Sequence, residues 1–328
     1  MQQHSLGNYG LVVPAIGFGC ASLSSAYGPS DDDDSVNTIH HAIDAGLNLL
    51  DTSDAYGNGH NETLVGRAIK GRRKEVVLCS KFGNKRGPNG ERLGADGRPE
   101  RVIASCEASL ERLGVETIDL YYQHRVDPKV PVEETFGAVK QLIEQGKIRF
   151  AGICEAGANT IRRAHATQPL SALETEYSLW SRDIEKEILP TCRDLGIGVV
   201  AYSPLGRGFL TATIRSSEDL YPGERRHDHP RFFPDNIARN IPLLDAIEQV
   251  ASAADATPAQ VALAWLFTRG DDIVPIPATR WTSHVDENAA ALKLRLQPEQ
   301  IRLLENAFPP GVTAGTRYPE KQMANMGL

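Results

Sequence analysis

Eight short apolar segments recur along the 328-residue chain, and each is followed by a stretch with helical periodicity. The segments cover residues 15–20, 47–52, 75–81, 117–124, 148–154, 171–177, 198–203 and 272–278. Strands that are apolar throughout are typical of sheets buried on both faces, and their alternation with amphipathic helices indicates parallel pairing. Eight β–α units that close on themselves form a (β/α)8 TIM barrel, so we expect this α/β fold.

The helical segments support the same architecture. They cover residues 34–46, 62–70, 99–113, 131–145, 159–166, 184–195, 241–254 and 258–269. A doubly wound open sheet is the alternative, but such sheets usually carry a glycine-rich phosphate loop. No GxGxxG follows the first predicted strand, and GxxxxGK[ST] is absent from the sequence.

The connections and ends of the chain complete the expected fold. We expect an N-terminal β-hairpin before the barrel and long loops after strands 3 and 7, over residues 82–98 and 205–240. Residues 309–328 lack periodicity and form a C-terminal tail that drapes over the barrel or frays. No segment has the composition of a linker, so we expect a single domain over residues 1–328.

Composition narrows the classes of function. The formal net charge of −7 and the absence of basic runs argue against nucleic acid or an anionic membrane as partner. The first residues do not resemble a signal peptide, and no apolar run is long enough to span a bilayer. The five widely spaced cysteines favour reduced thiols, so we expect a cytoplasmic protein without a metal site.

Polar residues stand at the carboxyl ends of the predicted strands, which is where active sites of barrel enzymes lie. They are Asp51, Lys81, His124, Cys154, Glu174, Tyr202 and Arg280. Each alone has an ordinary structural explanation: Asp51 can cap a helix, and Lys81 can extend into solvent. Several such groups on neighbouring strands are harder to explain structurally, because charges beside a buried core are unfavourable unless paired or used.

The chemistry that suits these groups is reduction of a carbonyl by hydride transfer. The carbonyl oxygen gains negative charge and needs a proton donor, for which Tyr56 is placed on the loop after the second predicted strand. A tyrosine has an ordinary pKa of about 10, and a nearby ammonium such as that of Lys81 lowers it. Asp51 can hold Lys81, and His124 can donate to the carbonyl oxygen.

Five sequence segments carry a resemblance to the aldo-keto reductase superfamily. They are LLDTSDAYGNGHNETLVGRAI, LCSKFG, IDLYYQHRVDP, EYSLWSRD and AYSPLGRGFL. The resemblance implies a (β/α)8 barrel, a catalytic tetrad of Asp51, Tyr56, Lys81 and His124, and NADP(H)-dependent reduction of a small carbonyl compound. QHRVDP and EYSLW most resemble the branch of pyridoxal reductases and auxin-induced-type proteins from bacteria, fungi and plants.

The resemblance also implies the binding residues. Cofactor contacts fall on Cys154, Glu155, Glu174, Tyr202, Ser203, Leu205, Gly206, Arg207, Thr279, Arg280, His284, Glu287 and Asn288. Within this set, Tyr202 is expected to stack on the nicotinamide and Arg280 to meet the 2′-phosphate of NADPH or NADP+. The substrate is expected to meet Tyr27, Phe82 and Trp180 around Tyr56.

Three positions depart from the family pattern: Cys154 stands where serine is usual, Glu174 where glutamine is usual, and Ala278 where glycine is usual. In addition, His284 stands where many relatives have arginine or an aromatic residue. A thiol is a weaker donor than a hydroxyl, so one cofactor hydrogen bond should weaken at Cys154. We expect an ionised Glu174 to favour bound NADP+ over NADPH, whereas a protonated Glu174 would mimic glutamine.

Two alternatives to a reductase remain at this stage. One is a cofactor-sensing regulatory subunit with the same fold, like potassium-channel β subunits, although all four catalytic positions are occupied and no partner-binding extension is evident. The other is a barrel isomerase or lyase, which leaves Arg280 unexplained. We expect a monomer or a weak homo-oligomer.

Overall fold

Residues 2–87 and 91–327 are described by a computed structural model, and within them eight parallel strands form one curved sheet. The strands, numbered along the chain, are β1 (Gln3–Ser5), β2 (Val12–Pro14), β3 (Phe18–Gly19), β4 (Leu49–Asp51), β5 (Val77–Phe82), β6 (Asn84–Arg86), β7 (Arg92–Ala95), β8 (Ile118–Gln123), β9 (Ile148–Cys154), β10 (Leu170–Glu176), β11 (Gly198–Tyr202) and β12 (Ile273–Ile276). The sheet runs β3–β4–β5–β8–β9–β10–β11–β12.

The two end strands of this sheet meet and close it. Gly17 N donates to Pro275 O at 2.9 Å, and Gly19 N donates to Pro277 O at 3.1 Å. A side chain at Gly19 would lie 2.8 Å from Ile276 O, so the close approach requires glycine there. Each predicted barrel strand overlaps an observed one, and the predicted (β/α)8 barrel is confirmed.

Helices follow the strands, and most of them cover the outside of the barrel. They are α1 (Asp32–Asp44), α2 (His60–Ile69), α3 (Pro99–Leu113), α4 (Val132–Glu144), α5 (Ala158–Thr167), α6 (Ile188–Asp194), α7 (Pro234–Asn240), α8 (Leu244–Ala253), α9 (Pro258–Phe267), α10 (Thr282–Ala290), α11 (Pro298–Ala307) and α12 (Glu320–Met323). Caps set several boundaries: Thr257 and Gln260 form a capping box at α9. α6 begins later than predicted because a separate 3-10 turn covers Asp183–Glu185.

The predicted N-terminal hairpin is confirmed and closes the amino end of the barrel. β1 and β2 pair antiparallel, and Leu6, Leu11 and Val13 are buried in one cluster with inward-facing strand residues such as Leu120. A Cβ at Gly7 would lie 2.7 Å from Ser171 O in β10 and 2.7 Å from Gly196 O, two residues before β11. The hairpin therefore fills the end opposite the predicted site.

The carboxyl end of the barrel is covered by long segments, as predicted. The loop after β5 contains the β6–β7 hairpin, and the loop after β11 contains four 3-10 turns and α7. The tail, residues 309–327, crosses this end: Ala314 N donates to Asn240 Oδ1 at 2.8 Å, and Gly327 N donates to Glu155 O at 2.9 Å. Of the two expectations for the tail, draping over the barrel is the one observed.

Two features concern the chain as a whole. No helix in residues 2–87 and 91–327 is long and apolar enough to cross a membrane. The structure describes all five cysteines, and each is a buried free thiol.

Candidate active site

Asp51, Lys81 and His124 come together at the carboxyl ends of three neighbouring strands, β4, β5 and β8. The Lys81 side chain is fully buried, and its ammonium donates to Asp51 Oδ1 and, at 3.0 Å, to Thr52 O. A buried ammonium needs such partners, because an unpaired charge in the barrel would be strongly destabilising. The pairing predicted for Asp51 and Lys81 is present.

Tyr56 begins a sharp turn that follows β4. The next three residues, Gly57, Asn58 and Gly59, all have left-handed backbone, with φ of +58°, +54° and +92°. Glycine and asparagine tolerate this conformation best, so the sequence YGNG is suited to the turn. The turn places the Tyr56 ring centroid 5.3 Å from Lys81 Nζ and edge-on to the His124 ring, with centroids 5.9 Å apart.

His124 is oriented by a residue that sequence reasoning missed. Ser53 Oγ lies 3.1 Å from His124 Nδ1, and the His124 backbone N donates to Phe82 O at 2.8 Å. Ser53 also accepts from Ala55 N, so the segment that carries Tyr56 also orients the imidazole. The available signal was the polar run DTSD, which begins at Asp51 and ends two residues before Tyr56.

The electrostatics of these groups are dominated by burial and by Lys81. Burial raises the pKa of the Tyr56 phenol above its ordinary value, and the Lys81 ammonium opposes that rise. Burial likewise raises the pKa of Asp51, again opposed by Lys81. Burial lowers the pKa of Lys81, but the Asp51 and Glu174 carboxyls outweigh it, so the net shift is upward. Lys81 therefore stays charged.

Glu174 and Cys154 extend this buried cluster. Glu174 Oε2 lies 3.3 Å from Lys81 Nζ, and Cys154 Sγ donates to the same oxygen at 3.8 Å. Burial, followed by the Asp51 charge, raises the pKa of Glu174 to about 8, although Lys81 opposes the shift. Near neutral pH Glu174 is therefore mostly protonated and resembles the glutamine of the family pattern.

Glu155 and Arg207 are engaged by other side chains at the mouth of the barrel. Arg317 of the tail donates twice to Glu155, at 2.9 and 3.0 Å. Arg207 donates to Glu176 at 2.8 Å, and its guanidinium lies 4.8 Å from the Tyr318 ring centroid. The Glu155 carboxylate is thus bound to the tail rather than presented to a ligand.

The remaining predicted cofactor residues fall in two loops. Tyr202 ends β11, is partly exposed, and its hydroxyl lies 3.0 Å from that of Tyr318. After it come Ser203, Leu205 and Gly206, with φ of +49° at Ser203 and +58° at Gly206. The second loop enters α10. It holds Thr279, whose hydroxyl lies 3.2 Å from His284 Nδ1, and Arg280, which donates to Pro29 O. The partly exposed Glu287 and the buried Asn288 follow within α10 itself.

The substrate residues were predicted less well. Phe82 is fully buried, and its ring lies 5.0 Å from that of Tyr121 in the cluster that includes the outer helices. Because alternate strand residues face opposite sides and Lys81 faces inward, Phe82 faces outward, so its predicted substrate contact is wrong. Trp180 is also buried, stacked on Phe209 with centroids 4.2 Å apart. Tyr27 is partly exposed, with the Arg226 guanidinium 5.0 Å from its centroid.

A buried ionic network at the mouth was also missed. Glu176 accepts from Arg207, from Arg231 at 3.3 Å and from Ser181 at 2.7 Å. Burial raises its pKa, but the three facing arginines, Arg207 first, lower it to about 2. Among the described residues, no group of three or more His, Cys, Asp or Glu side chains is arranged to hold a metal ion.

Comparison with known proteins places the chain among characterised sequences and folds. The family model described as the Aldo/keto reductase family matches residues 15–308. A relative from Glycine max named probable aldo-keto reductase 1 is 45% identical over 321 residues, covering 97% of this chain and 92% of that protein.

Solved structures agree with that match. A glycerol dehydrogenase from Gluconobacter oxydans has a TM-score of 0.85 at 28% identity, covering 94% of this chain and 96% of that one. An aldo/keto reductase from Klebsiella pneumoniae, solved with NADP and acetate, has a TM-score of 0.75 at 28% identity, covering 97% and 99%.

Proposed function

The chain belongs to the aldo/keto reductase family of oxidoreductases, and from that membership we propose that it reduces aldehydes or ketones to alcohols with NADPH. The observation that carries the proposal is the buried Asp51–Lys81 pair beneath Tyr56, with His124 edge-on to the same phenol. This arrangement supports Tyr56 as the general acid.

The residues present fit a nicotinamide dinucleotide at both of its ends. At one end, Arg280 and the backbone N–H groups that begin α10 form a donor set suited to a 2′-phosphate, and this favours NADPH over NADH. At the other, the partly exposed Tyr202 ring packs against the inner cluster that contains Cys154 and offers a stacking surface. Because Glu155 is held by Arg317, we assign the carboxamide to Cys154 and Glu174. Bound NADPH would supply the hydride.

The protein's own residues handle the proton. Tyr56 is protonated across the neutral range. Burial raises its pKa and makes the phenol a weaker acid, whereas the Lys81 ammonium opposes this rise and so aids proton release. As negative charge develops on the substrate oxygen, the imidazole of His124 can stabilise it, and Ser53 holds that ring in position. Proton transfer leaves a phenolate, which the ammonium of Lys81, 5.3 Å from the ring centroid, stabilises.

Asp51 keeps Lys81 in place for this step. With Asp51 ionised and Glu174 protonated, the cluster around the ammonium has no net charge before the reaction. Ionisation of Glu174 would add negative charge beside the forming phenolate and oppose proton release, since Glu174 raises the pKa of Tyr56. We therefore expect reduction to be faster below pH 8 than above it.

The test is Tyr56→Phe, assayed by loss of NADPH absorbance with a panel of small aldehydes that includes pyridoxal and aromatic aldehydes. We expect reduction to fall by at least about 100-fold, the typical contribution of a general acid, while NADPH still quenches protein fluorescence. Tyr9→Phe, a matched change in the N-terminal hairpin where the hydroxyl contacts His165, should keep full activity. Near-full activity of Tyr56→Phe would exclude this mechanism.

A further inference from the structure

Arg125 follows His124 directly and has no assigned role in the reaction. Its Nη1 donates to the carbonyl oxygen of His124 at 2.6 Å, so the guanidinium is folded back beside the imidazole-bearing residue. The residue is partly exposed. Consecutive Cα atoms lie about 3.8 Å apart. Arg125 therefore lies within a side chain's length of a substrate carbonyl group bound between Tyr56 and His124.

Arg125 has no carboxylate partner in the part of the chain that the structure describes. Besides the His124 carbonyl, the guanidinium faces the Tyr318 ring, whose centroid lies 6.0 Å from the guanidinium carbon. Burial lowers the pKa of Arg125, but Tyr202, Tyr318 and Glu155 outweigh it, and Glu155 is already bound bidentately by Arg317. A guanidinium carries five N–H donors, and within the described residues Arg125 uses only Nη1 in a hydrogen bond.

The other arginines at the mouth do have carboxylate partners. Arg207 and Arg231 share Glu176, and Arg317 holds Glu155. Together with Arg125, these arginines provide four guanidinium groups. They face two buried carboxylates, those of Glu155 and Glu176. Asp183 lies 3.8 Å from Arg317 but is mostly exposed, so water screens its charge.

Tyr318 reports the positive potential that results. Burial alone raises the pKa of a tyrosine, yet the pKa of Tyr318 is lowered, because Arg207 and Arg125 outweigh that effect. The carboxylates Glu176 and Glu155 act in the opposite direction and do not cancel the two arginines. The mouth beside His124 therefore attracts negative charge.

We propose that Arg125 binds a carboxylate on the substrate, so that the preferred substrates are aldehydes or ketones that also carry a carboxylate group. This inference rests on the proposed reduction and names its substrate class. The planar fork of a guanidinium matches the two oxygens of a carboxylate, which favours this anion, and a lysine would lack that geometry. The Nη1 bond to the His124 carbonyl fixes where the fork stands relative to the reacting group.

The test compares two aldehydes of nearly equal shape, 4-carboxybenzaldehyde and 4-formylbenzamide, by kcat/KM with saturating NADPH. We expect the wild-type protein to prefer the acid by at least about tenfold, and added salt to weaken that preference. Arg125→Gln should lower kcat/KM for the acid by at least about tenfold and change the amide by less than about threefold.

Further variants keep the result interpretable. Arg125→Lys retains the charge but loses the fork, so its acid preference should lie between those of wild type and Arg125→Gln. Arg163→Gln makes the same charge change on an outer helix, where Arg163 pairs with Glu133, and should leave the preference unchanged. If Arg125→Gln does not fold, the proposal is tested by the acid preference of Arg125→Lys and by the salt dependence of the wild-type preference.

The possible failures are distinguishable. Wild-type protein that reduces neither aldehyde contradicts the proposed function itself. Wild-type protein that reduces both equally well, or an Arg125→Gln variant that loses both equally, overturns the role of Arg125. If Arg125→Gln loses only NADPH affinity, measured by fluorescence titration without substrate, Arg125 binds the cofactor. That result would also overturn its proposed role in substrate binding.

Discussion

Glu174 Oε2 lies 3.3 Å from Lys81 Nζ, so one buried ammonium faces two carboxyl groups, those of Asp51 and Glu174. The two carboxyls differ in their second neighbours: Glu174 also receives the thiol of Cys154. This relationship makes the charge of the cluster depend on pH, since the pKa of Glu174 is raised to about 8 by burial and by Asp51.

The first prediction concerns cofactor preference. An ionised Glu174 attracts the positively charged nicotinamide ring of NADP+ but interacts only weakly with the neutral ring of NADPH. Bound NADP+ should therefore lower the pKa of Glu174. The preference for NADP+ over NADPH should therefore rise between pH 7 and pH 9, by about tenfold for each unit that oxidation shifts this pKa. Fluorescence titration with each form measures the ratio of dissociation constants.

The matched variant is Glu174→Gln, which keeps the shape and removes the ionisation. Its ratio of dissociation constants should be flat across the same pH interval. A ratio that rises equally in wild type and variant, or that the substitution leaves unchanged at pH 9, would disprove the role assigned to Glu174.

A second prediction concerns the stability of the same cluster. Glu174 has a folded-state pKa above its unfolded value, so its protonation stabilises the fold at low pH, and this contribution is lost as pH rises toward 8. Urea unfolding of wild type should show this decline between pH 5 and pH 8. In Glu174→Gln the decline in the free energy of unfolding should be smaller. An equal decline with pH in the two proteins would contradict this prediction.

Removing the ammonium gives a third prediction. Lys81→Met leaves Asp51 buried without its cation and should lower the free energy of unfolding by about 3–5 kcal/mol at neutral pH. Adding Asp51→Asn to this variant should restore part of the loss, because the uncompensated charge is then gone. No recovery in the double variant would show that packing, rather than charge, dominates.

The tail provides a fourth prediction. Arg317→Ala removes the cation that Glu155 binds, in a pair whose side chains are 10% and 3% exposed. Tail amides such as Gly327, which donates to Glu155 O, should exchange with solvent at least about tenfold faster, because local opening of the tail becomes easier. Arg302→Ala, which breaks a mostly exposed pair with Glu299, is the control and should change exchange little.

Two glycines give a fifth prediction, on packing. A Cβ at Gly152 would lie 2.3 Å from the Tyr122 ring inside the barrel, so Gly152→Ala should destabilise the protein by about 1–3 kcal/mol. At Gly137, in α4, the same Cβ meets no atom within 4 Å. Gly137→Ala should therefore stabilise by roughly 0.5–1 kcal/mol, as measured by thermal or urea unfolding.

Much of the fold and the centre of the site were predictable from local patterns. Strand and helix periodicity placed the barrel, and the carboxyl ends of successive strands brought Asp51, Lys81 and His124 together. The error at Phe82 was avoidable, because Lys81 facing into the barrel requires its strand neighbour to face out.

What local patterns do not contain is the pairing of distant segments. Arg317 and Glu155 are separated by 162 positions, and the tail that carries Arg317 has no periodicity that would place it. The same holds for Tyr318, whose hydroxyl meets Tyr202 across 116 positions. Their positions depend on how the closed barrel and its loops pack, and local sequence patterns do not specify that packing.

The N-terminal hairpin has a kinetic consequence. Because β1 and β2 fill the amino end of the barrel, ligands reach Tyr56 from the carboxyl end, past the tail. Two ligands that share one entrance obstruct each other, so the one bound deeper must arrive first and depart last. Steady-state kinetics should therefore follow an ordered sequence, with release of the deeper ligand able to limit turnover.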